Sequence, residues 1–200
     1  MADLEEHIQA PTFRGNLPSI HSQEKADSQW FVMRDLKRPN AKLPAYQMLR
    51  DMGMEVFTPM VWKLTVRSGK RIRKEVPFMQ DLLFVHEIRD VLDPIVEKVD
   101  TLQYRFLRDG KRTPMTVRET DMERFKKAVA ITDNHYFYTP EEVKPDMIGK
   151  KIRMIGGLLN GYEGYLQKMQ GSQTKRLFVE LPNLLIASVE VQPEYIQIIK

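Results

Sequence analysis

EVFTPMVWKLTVRSGKRIRKEVPFMQDLLFVH, Glu55 to His86, decides how the chain is read. It splits into two β-type runs around Arg67-Ser68-Gly69-Lys70. Ser68-Gly69 is the turn, and Gly69 can take the positive φ that a tight hairpin needs. Val56, Phe57, Met60, Val61 and Trp62 lead in, and Phe78, Met79, Leu82, Leu83, Phe84 and Val85 lead out. Between them stand six cations, Lys63, Arg67, Lys70, Arg71, Arg73 and Lys74, against the single acid Glu75. An apolar sheet with a cationic tip predicts two partners, protein on the sheet and phosphate at the tip. A solvated edge kept soluble by Lys and Arg is the plain alternative. Trp62 suits a strand face or core more often than a base-stacking role.

Upstream, Gln29–Arg34 reads as a central strand rich in aromatic and β-branched residues. Ala45, Met48, Leu49 and Met52 recur at helical spacing, with Pro44 opening the helix and Gly53 closing it. Downstream, Arg89–Val99 reads as a second helix that Pro94 restricts or kinks. Thr101–Leu107 is a strand, and Asp109-Gly110 a turn. Glu119–Ala130 is a third helix, with Thr116 as N-cap and Glu119 completing a capping box. Strand, helix, long hairpin, helix, strand, helix predicts an α+β domain with a mostly antiparallel sheet over 29–130.

Residues 1–28 carry no period and read as a mobile leader. Residues 131–146, with Pro140 and Pro145, read as a linker, although Tyr136, Phe137 and Tyr138 suit docking. From 147 to 200, glycines cluster at 149, 156, 157, 161, 164 and 171, and five short β-type runs alternate with turns: Lys151–Ile155, Gly161–Met169, Arg176–Leu181, Ile186–Val191 and Tyr195–Ile199. That pattern predicts a small all-β barrel.

Composition excludes several classes. The 200 residues are 42% hydrophobic, enough for real cores. There is no cysteine, hence no disulfide, thiolate metal site or thiol nucleophile. No apolar run approaches a membrane span, and the acidic N-terminus is no secretory signal. The net charge of +4 is uneven. Residues 1–27 have 2 Lys and Arg against 5 Asp and Glu, a net −3; residues 28–130 have 21 against 14, a net +7; residues 131–200 have 8 against 8. His7, His21, His86 and His135 show no ligand spacing, and no phosphate-loop motif is present. An enzyme is therefore not expected, and neither a catalytic residue, a cofactor nor a metal is assigned. The expectation is a cytoplasmic monomer without membrane contact.

GKKIRMIGGLLNGYEGYLQKM (Gly149–Met169) resembles a KOW motif, with Gly156, Gly157 and Gly161 permitting the turn and Gly164 marking a close backbone approach. Trp30-Phe31-Val32 before a helix, then VFTPM (Val56–Met60), the basic hairpin and VPFMQDLLFV (Val76–Val85), resembles the first domain of the NusG family. The resemblance covers about residues 29–200, and the spacing is similar to the specialised antiterminator branch, RfaH-like and UpxY-like. One departure is Met79-Gln80-Asp81-Leu82, where the family usually has a Phe-Pro-Gly/Asn-Tyr turn.

The resemblance implies a transcription antitermination or elongation factor that clamps RNA polymerase and suppresses pausing or termination on specific operons, such as surface polysaccharide operons. It implies an apolar patch on the largest-subunit clamp, drawn from Phe57, Phe78, Met79, Leu82 and Phe84. It implies contact of Lys63, Arg67, Lys70, Arg71, Arg73 and Lys74 with non-template DNA or nascent RNA. It implies a ribosomal protein or termination factor at Asn183, Leu184 and Leu185, in a loop with exposed aliphatics; a barrel-closing turn is the other reading. Some relatives hold the KOW segment as docked helices, but the glycine density here favours the barrel. The rival readings are a housekeeping NusG-type factor and a KOW-type RNA-binding, ribosome-associated protein.

Overall fold

The computed structural model describes residues 27–38, 41–131, 134–169 and 171–199. Most of the expected leader lies outside them. The first domain is built on β1 (Gln29–Asp35), whose Trp30, Phe31, Val32 and Met33 are all buried. A strand can bury consecutive residues only if both its faces are covered. β1 pairs antiparallel with β5 (Leu83–Glu87) along one side. Along the other it pairs with β6 (Leu102–Tyr104) and β7 (Thr116–Val117), while β2 (Glu55–Phe57) adds outside β5.

The two faces have separate cores. Phe31, Met33, Leu83 and Val85 pack with Ala45 and Leu49 of α1 (Ala45–Asp51) and Leu92 of α2 (Arg89–Lys98). Trp30, Val32, Leu82 and Phe84 pack with Met122, Phe125 and Ala128 of α3 (Glu119–Ala130). The alternation of β1 and β5 thus sorts their side chains between two layers. Burying a side chain as large as Trp30, Phe84 or Phe125 stabilises the fold by roughly 1.5–3 kcal/mol each.

The helix ends are set partly by remote groups. Asp35, buried at the end of β1, accepts the Ala45 N–H at 2.6 Å through Oδ2 and the Lys37 N–H at 2.9 Å through Oδ1. Gly53, at φ 86°, closes α1, its N–H donating to Arg50 O at 2.9 Å. α2 runs through Pro94 to Lys98 with Pro94 on its exposed side, so the proline does not confine it to a first turn. The expected capping box of α3 does not form. Thr116 is taken into β7 and the N-cap is Arg118, with no side-chain cap bond. Pairing with β1 claims the backbone that the local cap signal would have used.

Among its described residues the second half holds strands and short 3-10 turns and no α-helix. β9 (Ile148–Met154), β10 (Glu163–Gln167), β11 (Lys175–Leu181), β12 (Leu185–Val191) and β13 (Ile196–Ile198) follow the five expected runs. The surprise is β8 (Tyr136–Tyr138), inside the expected linker, which pairs with β12. The second sheet therefore runs β13-β9-β10-β11-β12-β8, antiparallel throughout. Arg176, 2% exposed, helps explain the docking. Its guanidinium donates to Ser188 Oγ at 2.9 Å, to Ser188 O at 2.8 Å and to Asn134 O at 2.7 Å, and lies 4.5 Å over the Tyr136 ring.

Candidate nucleic-acid interface and partner face

β3 (Met60–Arg67) and β4 (Lys70–Pro77) form a separate two-stranded ribbon that joins neither sheet. Ser68 and Gly69 both have positive φ, 51° and 74°, the geometry of a type I′ turn. That two-residue turn fixes the register, from Arg67 opposite Lys70 to Met60 opposite Pro77.

Residues opposite each other share a face, so the register divides the cations. One face carries Lys63 opposite Lys74 and Arg67 opposite Lys70, with Thr65 opposite Ile72 between them. The other carries Trp62 opposite Glu75, Leu64 opposite Arg73 and Val66 opposite Arg71. Like charges directly opposed are destabilising, and an anion between them removes that cost. Among the described residues, Lys63, Lys70, Arg71, Arg73 and Lys74 are exposed and make no ion pair. On the second face the Arg73 guanidinium lies 4.6 Å over the Trp62 ring.

The five residues expected to meet polymerase all lie on the α3 side of the first sheet. Leu82 and Phe84 are 1% and 0% exposed, so they are core rather than patch. Phe57, Phe78 and Met79 are partly buried against the same cluster. A chain of rings links the two sheets: Phe57 lies 6.1 Å from Phe84 and 6.0 Å from Phe125, Phe125 lies 6.1 Å from Phe137, and Phe137 lies 5.5 Å from Phe78. Phe137 belongs to β8, so the supposed linker supplies the ring that covers this face.

The Met79–Leu82 turn closes on a backbone bond and an acidic side chain. The Leu82 N–H donates to Met79 O at 3.2 Å. Asp81 is held by Arg34 Nε at 3.4 Å and by an Arg105 amino group at 3.2 Å.

In the second sheet, Asn183 is exposed at φ 61° in the tight connection between β11 and β12. Leu184 and Leu185 are 8% and 0% exposed, which corrects the expectation of an aliphatic loop open to a partner. The chain turns back at once, with Leu185 opposite Leu181, and both leucines point into the core. Exposed aliphatics lie instead at Ile155 and Leu158, beside the glycine turn, and at Ile148 and Ile198. A Cβ on Gly164 would fall 2.8 Å from the Tyr162 ring and 3.0 Å from Phe178 O, the close approach expected of it. Of the other three, Gly157 and Gly161 have positive φ, and Gly156 lies flush against the Tyr195 ring, where a Cβ would come within 2.6 Å.

Several polar groups escaped sequence reasoning because their partners come from distant elements. His86 stacks on Trp30 with centroids 5.0 Å apart, its ring nitrogens 3.5 Å from Glu55 and 3.1 Å from Glu119. Lys126 pairs with Glu55 and lies over the Trp30 ring. Tyr104 donates to Asp93 at 2.8 Å; burial first, then that bond, raises its hydroxyl far above the usual tyrosine value. Burial likewise raises Tyr162. The hydrogen bond from Arg153 holds Glu163 below the usual carboxylate range. Among the described residues no cluster could hold a metal ion, and no helix is long and apolar enough to cross a membrane.

Residues 28–126 match the family model NusG, described as transcription termination factor nusG. The matched segment contains the hairpin and most of the ring-lined face. A solved structure described as domain interaction in Thermotoga maritima NusG aligns with 88% of this chain and 99% of that one, at 13% identity and a TM-score of 0.45. No curated protein matches the chain.

Proposed function

We propose that this chain is a transcription elongation factor of the antiterminating kind, RfaH-like or UpxY-like, that binds RNA polymerase through its first domain. It suppresses pausing or termination on specific operons, such as those for surface polysaccharides. The family match over residues 28–126 carries this reading. Phe57, Phe78 and Met79, at the rim of the ring-lined face, are the contacts for the polymerase clamp. Because Phe137 rests on that face, polymerase takes it only after β8 moves aside. Binding then works by differential affinity, favouring the barrel-displaced state of the factor and the pause-resistant state of the enzyme. The hairpin meets non-template DNA or nascent RNA as its second contact. The second domain stays free for a ribosomal protein or termination factor. A factor of this kind acts by binding and brings no catalytic group of its own.

The test is single-round transcription through a pause site and a terminator. Wild-type protein is expected to shorten the pause and raise read-through. Changing Lys63, Lys70, Arg71, Arg73 and Lys74 together to Ala is expected to abolish both effects. A wild-type protein that lowers read-through would instead be a general factor supporting termination, and one with no effect on polymerase would sink the reading.

A further inference from the structure

The two faces of the hairpin are built for different work. We propose that the Trp62 face is a platform for single-stranded nucleic acid, with bases on Trp62, Leu64 and Val66 and phosphates at Arg71 and Arg73. This rests on the reading that the hairpin meets nucleic acid, and it specifies the form of nucleic acid and the face that takes it.

Trp62, Leu64 and Val66 are 49%, 66% and 70% exposed, all on one strand and one face. Such a row is a liability on a ribbon whose outer edges are both unpaired. Arg73 lies over Trp62, while Leu64 and Val66 stay open. Across the ribbon, on the same face, stand Arg73 and Arg71. Apolar and aromatic surface beside guanidinium is the combination that takes bases and backbone together. The Trp62 ring already accepts one planar group, the Arg73 guanidinium at 4.6 Å.

Spacing selects the single strand. Alternate residues of a strand lie about 6.6–6.8 Å apart. Bases stacked in a duplex repeat every 3.4 Å or so and turn their rings inward. A row of apolar contacts at twice that repeat fits only bases that have unstacked. A duplex would present phosphates alone, and the opposite, lysine face serves those without any apolar row. Charge argues against a protein occupant, since the ribbon carries six cations and one acid.

The experiment is fluorescence anisotropy with the full chain, using a labelled mixed-sequence single strand (DNA, and RNA of the same sequence) and the annealed DNA duplex. Trp62→Ala is expected to weaken single-strand binding about 5- to 150-fold, the loss of one stacked base, and to leave duplex binding unchanged. Trp62→Phe should restore most of the loss, which a merely structural role would not predict. Changing Lys63, Lys70 and Lys74 together to Ala should weaken both forms and flatten the salt dependence by about one unit of slope per lysine. All these positions are exposed, so matching circular dichroism is expected. If Trp62→Ala binds single strands like wild type while the lysine variant loses both forms, the platform is wrong and the nucleic-acid reading stands. If wild type binds neither form, both are wrong; should Trp62→Ala then also lose polymerase, the face is a protein contact.

Discussion

Phe57 and Phe78 lie within ring-contact distance of Phe125 and Phe137, whereas Trp62, Leu64 and Val66, a few residues along the same chain, stand open to solvent. Both rows are apolar, and both come from the stretch that organises the first domain. One is covered by a helix and by a strand of the second sheet. The other extends on a ribbon that packs at its base and projects at its tip. The contrast shows that apolar character locates a surface without saying what covers it. A covered row can meet a partner only once its cover moves aside, whereas an open row can be met directly.

That contrast can be broken most forcefully at Phe125. Phe125→Ala empties the centre of the ring chain and is expected to cost about 3–5 kcal/mol, read from the urea midpoint. A loss below about 1 kcal/mol would mean the two sheets do not share a core.

Next in size is Arg176, which holds the segment before β8. Arg176→Met removes the guanidinium bonds to Ser188 and to the Asn134 carbonyl, at a cost of roughly 1–3 kcal/mol. The sharper readout is hydrogen exchange, which should accelerate in Tyr136–Tyr138 more than in β9 or β10. Uniform acceleration would remove Arg176 from the cover of the ring-lined face.

The open row should respond in the opposite sense. Leu64→Ser with Val66→Ser is expected to shift stability by no more than about 0.5 kcal/mol, as for surface positions generally. A larger loss, measured by the same urea titration, would mean that the row packs against something in the folded chain.

The smallest effect is a pH dependence confined to the second sheet. Glu163 titrates below its ordinary value of 4.5 because Arg153 bonds its carboxylate. Its contribution is therefore fully present above that value and is lost as pH falls through the lowered one. Glu163→Gln should flatten the acid limb of the melting temperature and leave neutral pH almost unchanged; an unaltered acid limb would remove the pair from the balance.

How far the sequence carried depended on how local the signal was. The Ser68-Gly69 turn needs only its own φ angles, and the span of α3 needs only its apolar period, so both were legible. The five runs of the second half were legible because a glycine or a proline separates each from the next. β8 was not, since Tyr136–Tyr138 becomes a strand only when β12 offers an edge. The Thr116 cap failed for the same reason, as β1 captured its backbone. At the candidate sites, the cations of the hairpin could be named from charge alone, but their division between faces required the register. Burial of Leu82, Phe84, Leu184 and Leu185 depends on layers that meet only in the folded chain. The polar grip on Asp81 and the setting of His86 join residues from separate strands and helices, which no short motif encodes.

The division of labour between the covered and the open surface is tested most directly by capture of core RNA polymerase. Three proteins would be compared: wild type, Phe57→Ser with Phe78→Ser, and Lys63, Lys70, Arg71, Arg73 and Lys74 all changed to Ala. The expected result is capture by wild type and by the hairpin variant, with loss only in the phenylalanine variant. Capture that survives the phenylalanine changes and fails with the hairpin changes would contradict it, and would move the polymerase contact to the ribbon.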